Sequence, residues 1–515
     1  MERVELTEIQ RFYKDSTVFL TGATGFIGKL LLEKILRSLP VKKVFILIRI
    51  KKDTNVNARW EQILDSPIFD GLKRNSKEVF QKVAIFKGDC NQPNLGMSPE
   101  DIAQFINEVN VVFHCAANVR FDASLKETTI TNIRATRDLI EIAKQVKKLK
   151  TFVYIGTGFS NCNRLEIKEE IYPSRISGED LIQVCESLDD ESIKALRQPL
   201  CGEWPNTYTF TKHVTEDYLS KLAKDLPVCI TRPTIVISTS EEPVAAFCDS
   251  VFTLAGFFLT TALGFCRIVY YKKILLDVVP ADIVVNQCIV TGWHTGETFK
   301  KGVSEIPIYN ISSVEQNPVN QDDVYAWSEA SARQIPSERI FAYPFYFRTT
   351  CKYNYLFTRI FLHTFFAWVL DLTLRVQGKQ PMFSKGMKKL HAFHEAYEFF
   401  STTQFSISVD NTLKLLKRMS FADKQMFNCD IKTIDWESYF TNYVKGLRCY
   451  LVKDPMDTIP QGRKHYNKLR NLFIFLVLSL IIMLYIVGKV VLFKMLPLLF
   501  GIMIYILRGM ICSEM

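Results

Sequence analysis

The N-terminal part of the chain alternates short apolar runs with segments in which apolar residues recur at helical spacing. One such segment, 26–37, places its apolar residues on one face of a helix. Short buried runs separated by helices are typical of a parallel sheet that is covered on both faces. The pattern therefore predicts an α/β fold, a doubly wound parallel sheet of the Rossmann type, whose ligands bind at the carboxyl ends of the strands. The runs expected to form strands are 18–20, 44–48, 83–86, 111–113, 152–155 and 228–230.

The segment 21–28 joins the first apolar run to the predicted helix and reads Thr-Gly-Ala-Thr-Gly-Phe-Ile-Gly. Glycines let the backbone turn tightly and approach a pyrophosphate, while the free N–H groups at the helix start attract its charge. The order strand, glycine turn, helix therefore predicts a dinucleotide site rather than a simple turn. Its expected cofactor-binding residues are Thr21, Gly22, Thr24, Gly25, Phe26, Ile27 and Gly28.

The ends of the next three strands indicate which dinucleotide is bound. The second strand is followed by Arg49 rather than an acidic residue, and a guanidinium suits the 2′-phosphate of NADPH; a solvated basic loop is the alternative. Asp89, after the third strand, is expected to meet the adenine edge, with a simple turn as the alternative. Small residues after the fourth strand would let the cofactor lie against the backbone, and these are Cys115, Ala116 and Ala117.

Tyr208 and Lys212 are the candidate catalytic pair. They are four residues apart in a stretch with helical spacing, 208–222, and therefore share one face. An ammonium beside a phenol would lower the phenol pKa from about 10 and make the tyrosine a proton donor near neutral pH. Alone, the pair could be an amphipathic surface feature. Together with Thr157, which follows the fifth strand of a dinucleotide fold, it predicts a reductase site.

The second half of the chain changes character. From about residue 346 the sequence is aromatic, basic and helical in pattern, which predicts a helical domain at 346–455 after a nucleotide-binding domain at 1–345. The apolar stretch 244–265 is interpreted as a buried wall of the substrate site rather than a membrane segment, because two glycines interrupt it.

The C-terminal segment, 456–515, is predicted to be a basic linker and a membrane anchor. An apolar stretch at about 472–493 is long enough to cross a bilayer, and 495–507 is a candidate re-entrant or second segment. Basic residues before the span place that flank, and the catalytic domain, in the cytosol. These residues are Arg463, Lys464, Lys468 and Arg470.

Composition narrows the partners. The formal net charge is +10 without a zinc-finger or RNA-binding signature, which favours a membrane surface or a polyanionic small molecule over nucleic acid. The 13 cysteines form no C-x-x-C pair and the N-terminus lacks a signal peptide, so reduced thiols are expected. His391 and His394 have no third ligand at suitable spacing, and no metal is predicted. The oligomeric state is left open.

These motifs resemble the extended short-chain dehydrogenase/reductase superfamily and, more narrowly, the animal fatty acyl-CoA reductases. The resemblance covers nearly the whole chain, since the aromatic residues near the end are similar to the C-terminal "male sterility" region of that family. The segments that carry it are 20–29, 114–121, 205–212, 232–236 and 279–282, with Trp436, Tyr439, Tyr443, Gly446 and Tyr450.

The resemblance implies a role for each site residue. Thr157 would hydrogen-bond the substrate carbonyl, Tyr208 would give the proton, and Lys212 would tune Tyr208 and hold the nicotinamide ribose. Pro233 and the backbone at Ile235 would meet the nicotinamide amide. The implied activity is NADPH-dependent reduction of long-chain acyl-CoA to a primary alcohol through an aldehyde, at the endoplasmic reticulum or peroxisome membrane.

Two departures keep alternatives open. Where the family usually has Ser-Thr-Ala-Tyr, this chain has Gly156, Thr157, Gly158 and Phe159, and its loop after Pro243 differs from the family's acyl-pocket loop. The chain-length preference therefore does not transfer. The alternatives are a membrane-bound sterol dehydrogenase of the same superfamily and a catalytically weak scaffold that binds NADPH and lipid.

Overall fold

A computed structural model describes residues 5–50, 55–252, 254–303 and 305–512, with side chains up to residue 489. The strands are β1 Thr17–Thr21, β2 Lys43–Ile48, β3 Val83–Lys87, β4 Val111–His114, β5 Thr151–Ile155, β6 Glu166–Ile167, β7 Val228–Pro233, β8 Ile235–Ile237, β9 Ile268–Tyr270, β10 Val278–Pro280, β11 Ile308–Ile311, β12 Phe347–Thr349 and β13 Ser406–Ile407.

The helices are α1 Glu8–Tyr13, α2 Phe26–Ser38, α3 Val56–Leu64, α4 Asp70–Asn75, α5 Pro99–Glu108, α6 Leu125–Thr128, α7 Ala135–Ala143, α8 Gly178–Ser187, α9 Asp190–Cys201, α10 Thr207–Leu222, α11 Leu254–Ala262, α12 Ala281–Phe299, α13 Gln321–Gln334, α14 Lys352–Arg359, α15 Phe366–Val376, α16 Phe383–Thr402, α17 Asp410–Arg418, α18 Phe421–Met426, α19 Trp436–Gly446 and α20 Ile459–Cys512. Wider π-helical turns join α6 to α7 and α14 to α15.

A seven-stranded parallel sheet forms the centre of the molecule, in the order β11-β7-β5-β4-β1-β2-β3. All six predicted strands lie in it, and the predicted α/β Rossmann fold is confirmed. The strand that sequence patterning missed is β11, which pairs with β7 at the edge.

The two faces of the sheet belong to two hydrophobic cores. In β1, Val18 and Leu20 pack on the side of α2 and α12, whereas Phe19 packs on the other side with Phe105 and Leu139. Successive side chains of a strand point to opposite faces, so a run that is apolar throughout must be covered twice. This explains why the strands read as continuous apolar runs.

The C-terminal helices extend the first of these cores. Aromatic residues of α19, Tyr439 and Tyr443 among them, belong to the same buried cluster as Val18, and α19 packs along α13. The short strand β13 pairs with β6. The aromatic series near the C-terminus is therefore core that fixes the helical part against the sheet.

Stretch 244–265 forms α11 and no membrane-spanning helix, since α11 has nine residues and buries Ala255 and Phe258. This agrees with its interpretation as a wall. Two other helical stretches are long and apolar enough to cross a membrane, namely Lys352–Val376 and Met456–Lys489.

The predicted anchor at 472–493 lies within α20, a continuous helix of 54 residues. The side chains between Leu472 and Val487 are almost all exposed. The backbone of 495–507 belongs to the same helix, so it contains no turn at which the chain reverses, and its side chains lie outside the described ones. That this stretch forms a re-entrant or second membrane segment stays a prediction.

Candidate active site

The glycine turn after β1 forms a cradle that only glycine allows. Gly22 has a φ of +75°, and a Cβ there would lie 2.8 Å from the backbone nitrogen of Ala116. A Cβ on Gly28 would lie 2.1 Å from the carbonyl oxygen of Gly22. Gly25 caps α2 without a side-chain hydrogen bond, so the first N–H groups of this helix have no capping side chain. The predicted turn residues, with exposed Thr24 and with Phe26 and Ile27 in the first helical turn, thus form a site that fits a pyrophosphate.

Thr21 connects this turn to the end of β4. Its hydroxyl oxygen accepts hydrogen bonds from the backbone nitrogens of Cys115 and Ala116, at 3.2 and 3.1 Å, and lies 2.8 Å from Nδ1 of His114. We assign the hydroxyl as donor to Nδ1, which leaves Nε2–H of His114 to donate to Thr136 at 2.9 Å. Burial lowers the pKa of His114 to about 3, so the ring is neutral. The Thr21 hydroxyl fixes the turn and has no hydrogen left for a ligand.

Arg49 follows β2 with its side chain 48% exposed, and its Nε lies 3.9 Å from Oδ2 of Asp89. Asp89 also accepts a hydrogen bond from the backbone nitrogen of Asn91 at 3.0 Å, which is the turn geometry considered as its alternative. Arg59 of α3 donates to the carbonyl oxygen of Arg49. Burial and the nearby charge of Arg49 lower the pKa of Arg59. Sequence reasoning missed this second guanidinium because no motif links α3 to the end of β2.

Thr157, Tyr208 and Lys212 all lie near the end of β5. The side chain of Thr157 hydrogen-bonds Tyr208. Nζ of Lys212 donates to the carbonyl oxygen of Ile155 at 2.8 Å and lies 4.5 Å from the centre of the Tyr154 ring. Burial lowers the pKa of Lys212 to about 8, although the carboxylate of Glu216 opposes this shift. A lysine at such a pKa can hold or release a proton near neutral pH.

The pKa of Tyr208 is raised, which is the opposite of the predicted direction. Burial of the phenol is the main cause, the hydrogen bond from Thr157 partly offsets it, and the charge of Glu216 adds to it. The prediction was wrong because it counted the Lys212 charge and omitted desolvation. Tyr208 is consequently protonated at neutral pH, the state that a proton donor needs.

A buried ion pair and the side chain of Thr234 explain the two glycines around Thr157. Arg232 and Glu216 are paired at 2.8 Å and almost fully buried. A Cβ on Gly156 would lie 2.7 Å from Oε1 of Glu216, and one on Gly158 would lie 2.8 Å from the methyl group of Thr234. The departure from the family pattern therefore makes room for a neighbouring charge and leaves the Thr157 hydroxyl in place.

Pro233 and Ile235 lie beside this triad. Pro233 ends β7, and its carbonyl oxygen accepts a hydrogen bond from the backbone nitrogen of Gly158 at 2.8 Å. Ile235 lines a cavity that we call the inner cavity. The inner cavity is apolar for most of its wall, which includes Leu254, Phe257, Tyr325, Phe393, Tyr397 and Phe400.

Helix α16 covers Tyr208, the candidate catalytic tyrosine, which the sequence did not indicate. Phe121 stacks on Tyr208 with ring centres 5.9 Å apart, and it contacts Tyr397 and Phe400 of α16 at 5.0 and 5.5 Å. The C-terminal part thus closes the site and joins it to the inner cavity. An arrangement of this kind can hold a long apolar group next to a proton donor.

The divergent loop after Pro243 packs between two helices. Backbone nitrogens of Glu241 and Glu242 donate to Oδ2 of Asp282, and a Cβ on Gly446 would lie 1.8 Å from the carbonyl oxygen of Ala246. The loop is therefore packed between α12 and α19, and α11 after it lines the inner cavity.

No group of three or more His, Cys, Asp or Glu among the described residues could hold a metal ion. The Nε2 atom of His391 lies 3.2 Å from Nδ1 of His363, so these two histidines contact each other.

Known proteins are similar to this sequence over most of its length. A family model described as "Male sterility protein" matches residues 20–288, and a second model with the same description matches 362–454. Fatty acyl-CoA reductase 2 of Mus musculus is 35% identical over 469 residues, which cover 91% of this chain and 90% of the relative. Fatty acyl-CoA reductase wat of Drosophila melanogaster is 33% identical over 465 residues, which cover 90% of this chain and 89% of the relative.

A solved structure has a related fold. The terminal R domain from the myxalamid PKS-NRPS biosynthetic pathway superposes with a TM-score of 0.54 and 18% identity, covering 86% of this chain and 93% of that chain. At this identity the likeness concerns the fold alone. It places the Rossmann sheet among reductase-domain folds.

Proposed function

The chain belongs to the fatty acyl-CoA reductase family, and we propose that NADPH is the reductant with which it converts long-chain fatty acyl-CoA to primary fatty alcohol. The observation that carries the proposal is that Thr157, Tyr208 and Lys212 lie near the end of β5, where Phe121 connects Tyr208 to the wall of the inner cavity. A nicotinamide cofactor fits the cradle, because the uncapped start of α2 and the missing side chains of Gly22 and Gly28 leave room for a pyrophosphate.

We assign cofactor contacts from the ends of the strands. The residues after β1 and β4 would hold the pyrophosphate and ribose, and Pro233 with Ile235 would border the nicotinamide. Arg49 and Arg59 would take the 2′-phosphate of NADPH, since two guanidinium groups at the end of β2 favour a dianion. When bound, the nicotinamide supplies the hydride.

The chain's own residues handle the oxygen of the substrate. Tyr208 and Thr157 would donate hydrogen bonds to the thioester carbonyl, where negative charge develops, and Tyr208 would give up its proton to that oxygen. Lys212 would hold the ribose and return a proton toward Tyr208. The hemithioacetal would then release the CoA thiol and leave an aldehyde. A second reduction at the same site would give the alcohol, so two NADPH are consumed for each alcohol.

We further propose that the enzyme is anchored in a membrane by α20, with its catalytic part in the cytosol at the endoplasmic reticulum or peroxisome. Within the stretch Met456–Lys489, residues 472–487 are almost all apolar and exposed, which supports an anchor. Basic residues in its first turns support a cytosolic flank. Residues 1–345 would form the nucleotide-binding domain, 346–455 the helical domain and 456–515 the anchor.

Product analysis tests the activity. We expect cells that make no fatty alcohol to produce it when they express the chain, and Tyr208→Phe to lower the rate by about 10²-fold or more, because the proton donor is lost. Tyr218→Phe is the matched control, since Tyr218 lies on the same helix but hydrogen-bonds Glu179 at 2.7 Å. Oxidation or reduction of a sterol without any fatty alcohol would favour the sterol dehydrogenase. A folded protein without turnover would favour the scaffold.

Cofactor preference tests the role of Arg49. We expect Arg49→Ala to weaken NADPH binding about tenfold or more and to leave NADH binding unchanged, because one charge-assisted phosphate contact is lost. Titration of the cofactor's fluorescence measures both, with exposed Arg74→Ala as the control. Equal losses for both cofactors would contradict the phosphate contact.

A further inference from the structure

The helical stretch Lys352–Val376 buries polar side chains and exposes many apolar ones, which is the reverse of a surface helix in water. Its buried residues include the polar His363 and Asp371, whereas its outward side is aromatic and aliphatic. Trp368 is 53% exposed on that side. The other large apolar residues exposed on this outward side, here called the outer face, are Tyr353, Leu356, Phe357, Ile360, Phe361, Phe365, Phe366, Leu372 and Val376.

Specific hydrogen bonds fix the helix in this orientation. Nε2 of His363 accepts a hydrogen bond from the backbone nitrogen of Arg267 at 2.8 Å. The carboxylate of Asp371 accepts hydrogen bonds from three successive backbone N–H groups at the start of α16, each at 2.8 Å. Rotation that hid the outer face would break these bonds. A large apolar patch of this kind on a fixed surface marks a site for an apolar partner.

A second cavity, here called the outer cavity, opens beside the outer face, because Phe341 and Met387 of its wall also line a small gap with Phe366. It has a volume of about 680 Å³ and an almost wholly apolar wall. Val251, Phe341 and Met382 line it and are exposed, so they mark its mouth. Phe393 lines both the outer and the inner cavity and therefore separates them. A Cβ on Gly256 would lie 3.1 Å from the Phe393 ring, so the ring sits close against α11.

The mouth adjoins the start of the anchor. Tyr343 and Phe345, just after Phe341, contact Phe473 of α20 with ring centres 5.3 and 4.7 Å apart. Residues 474–487 of α20, just beyond this contact, are almost all apolar and are exposed. On the other side of the mouth, α16 exposes Lys385 and Lys389, whose charges suit anionic lipid head groups. The patch, the mouth and the anchor therefore form one continuous apolar surface with a basic border.

We propose that the outer face lies in the lipid bilayer together with α20, and that the outer cavity is a lateral opening through which acyl chains and fatty alcohols pass between the bilayer and the catalytic site. This inference rests on the proposed function. It assigns Phe393 as the gate between the two cavities. The fatty alcohol, once formed, leaves for hydrocarbon without crossing water.

Fluorescence quenching tests the position of the outer face without any need for activity. The full chain is reconstituted in vesicles of phosphatidylcholine that carries bromine on its acyl chains, and in the same vesicles without bromine. We expect bromine to quench part of the tryptophan emission, and Trp368→Phe to abolish that part. Trp327→Phe is the matched control, because Trp327 is half-buried on α13. Equal quenching of the native chain and Trp368→Phe would overturn the proposal.

Blocking the outer cavity tests the lateral opening. Met387→Trp adds bulk inside it, and we expect the turnover of long-chain acyl-CoA presented in vesicles to fall about fivefold or more because the path is overfilled. A short-chain acyl-CoA supplied in solution does not use this path and should react within about twofold of the native rate. Lys388→Trp, on the same helix but outside the wall, is the control. Equal slowing of both substrates, or of neither, would overturn the opening.

A variant at the mouth decides the matter if Met387→Trp does not fold. Met382 is exposed, so Met382→Arg places a charge in the path without touching the core. We expect the same selective loss with the long-chain substrate. If the native chain reduces no acyl-CoA at all, the proposed function and the lateral opening both fail, whereas quenching of Trp368 still reports the membrane position of the outer face.

Discussion

The absence of a side chain at Gly156 leaves room for a buried ion pair beneath the candidate catalytic residues. The carboxylate of Glu216 occupies the space that a Cβ would need, and it pairs there with Arg232. Breaking a buried pair costs more than forming it gains, because the remaining charge has no water. At this position, therefore, a glycine preserves the site.

We expect Gly156→Ala to lower the free energy of unfolding by about 3 kcal/mol, because the added methyl group displaces Glu216 from Arg232. Thermal unfolding of the purified protein measures the change. Gly71→Ala is the matched control, since a Cβ there meets nothing within 4 Å and alanine favours the helix. An equal free energy of unfolding for the two variants would show that Glu216 does not crowd a side chain at position 156.

His114 predicts how stability depends on pH. Its pKa in the folded state is about 3, below the ordinary value of about 6.5. Between these values the unfolded chain binds one more proton, so stability rises with pH and is lost as the pH falls below about 6.5. We expect His114→Gln to reduce that slope by up to about 1.4 kcal/mol per pH unit.

Denaturation at several pH values between about 4 and 7 measures both slopes. The His114→Gln variant keeps part of the pH dependence of stability, because burial also lowers the pKa of His213 and of His294 to about 4. A reduced slope in the variant is therefore expected, and a slope equal to the native one would show that His114 is already charged in the folded protein.

Helix α16 depends on a neighbouring helix for its start. It carries Phe393, Tyr397 and Phe400 to the inner cavity, and its first N–H groups have Asp371 of α15 as their acceptor. Helix N-termini without an acceptor leave these donors unsatisfied. Helix α16, which covers the candidate catalytic residue Tyr208, is thus held in position by a side chain of α15.

We expect Asp371→Ala to lower stability by about 1–2 kcal/mol, as for other lost N-terminal caps. The KM for a long-chain substrate should rise at the same time, because α16 forms part of the cavity wall. Thermal unfolding and steady-state kinetics measure the two effects. Asp371→Asn keeps one acceptor oxygen and should lose less. An unchanged KM with lower stability would separate the cap from the site.

Among the side chains described for α20, those at its beginning hold the helix against the rest of the molecule. Arg463 donates to the carbonyl oxygen of Gln334 at 2.7 Å, and a Cβ on Gly462 would lie 2.0 Å from the carbonyl oxygen of Pro336. Phe473 is the last of these contacts that involves a ring. The described side chains from Ile474 to Val487 are exposed.

A chain that ends at residue 474 should keep these contacts, lose its anchor and still bind vesicles in part, because the outer face remains. Phe357→Ser with Phe361→Ser should weaken that residual binding, since each phenylalanine contributes about 1.5–3 kcal/mol on leaving water. Vesicle sedimentation measures this. Phe421→Ser is the control, because Phe421 is 77% exposed but lies on α18. Complete release of the shortened chain would show that α20 alone holds the enzyme.

The sequence by itself determined the Rossmann sheet, the glycine cradle and the identity of the proposed catalytic residues. Strands buried on both faces must be apolar throughout, and a turn that a Cβ would fill must be glycine, so these features are visible locally. The missed strand β11 is short, and neither its periodicity nor a flanking motif distinguished it.

Only the tertiary structure decided the raised pKa of Tyr208, the aromatic cover from α16 and the direction of Lys352–Val376. A pKa depends on burial by residues distant in sequence, and Tyr397 is far along the chain from Tyr208. The helix 352–376 mixes polar and apolar residues, so its composition does not say which side faces the protein. The partners of His363 and Asp371 settle that, since each polar side chain must find its hydrogen bonds in the fold.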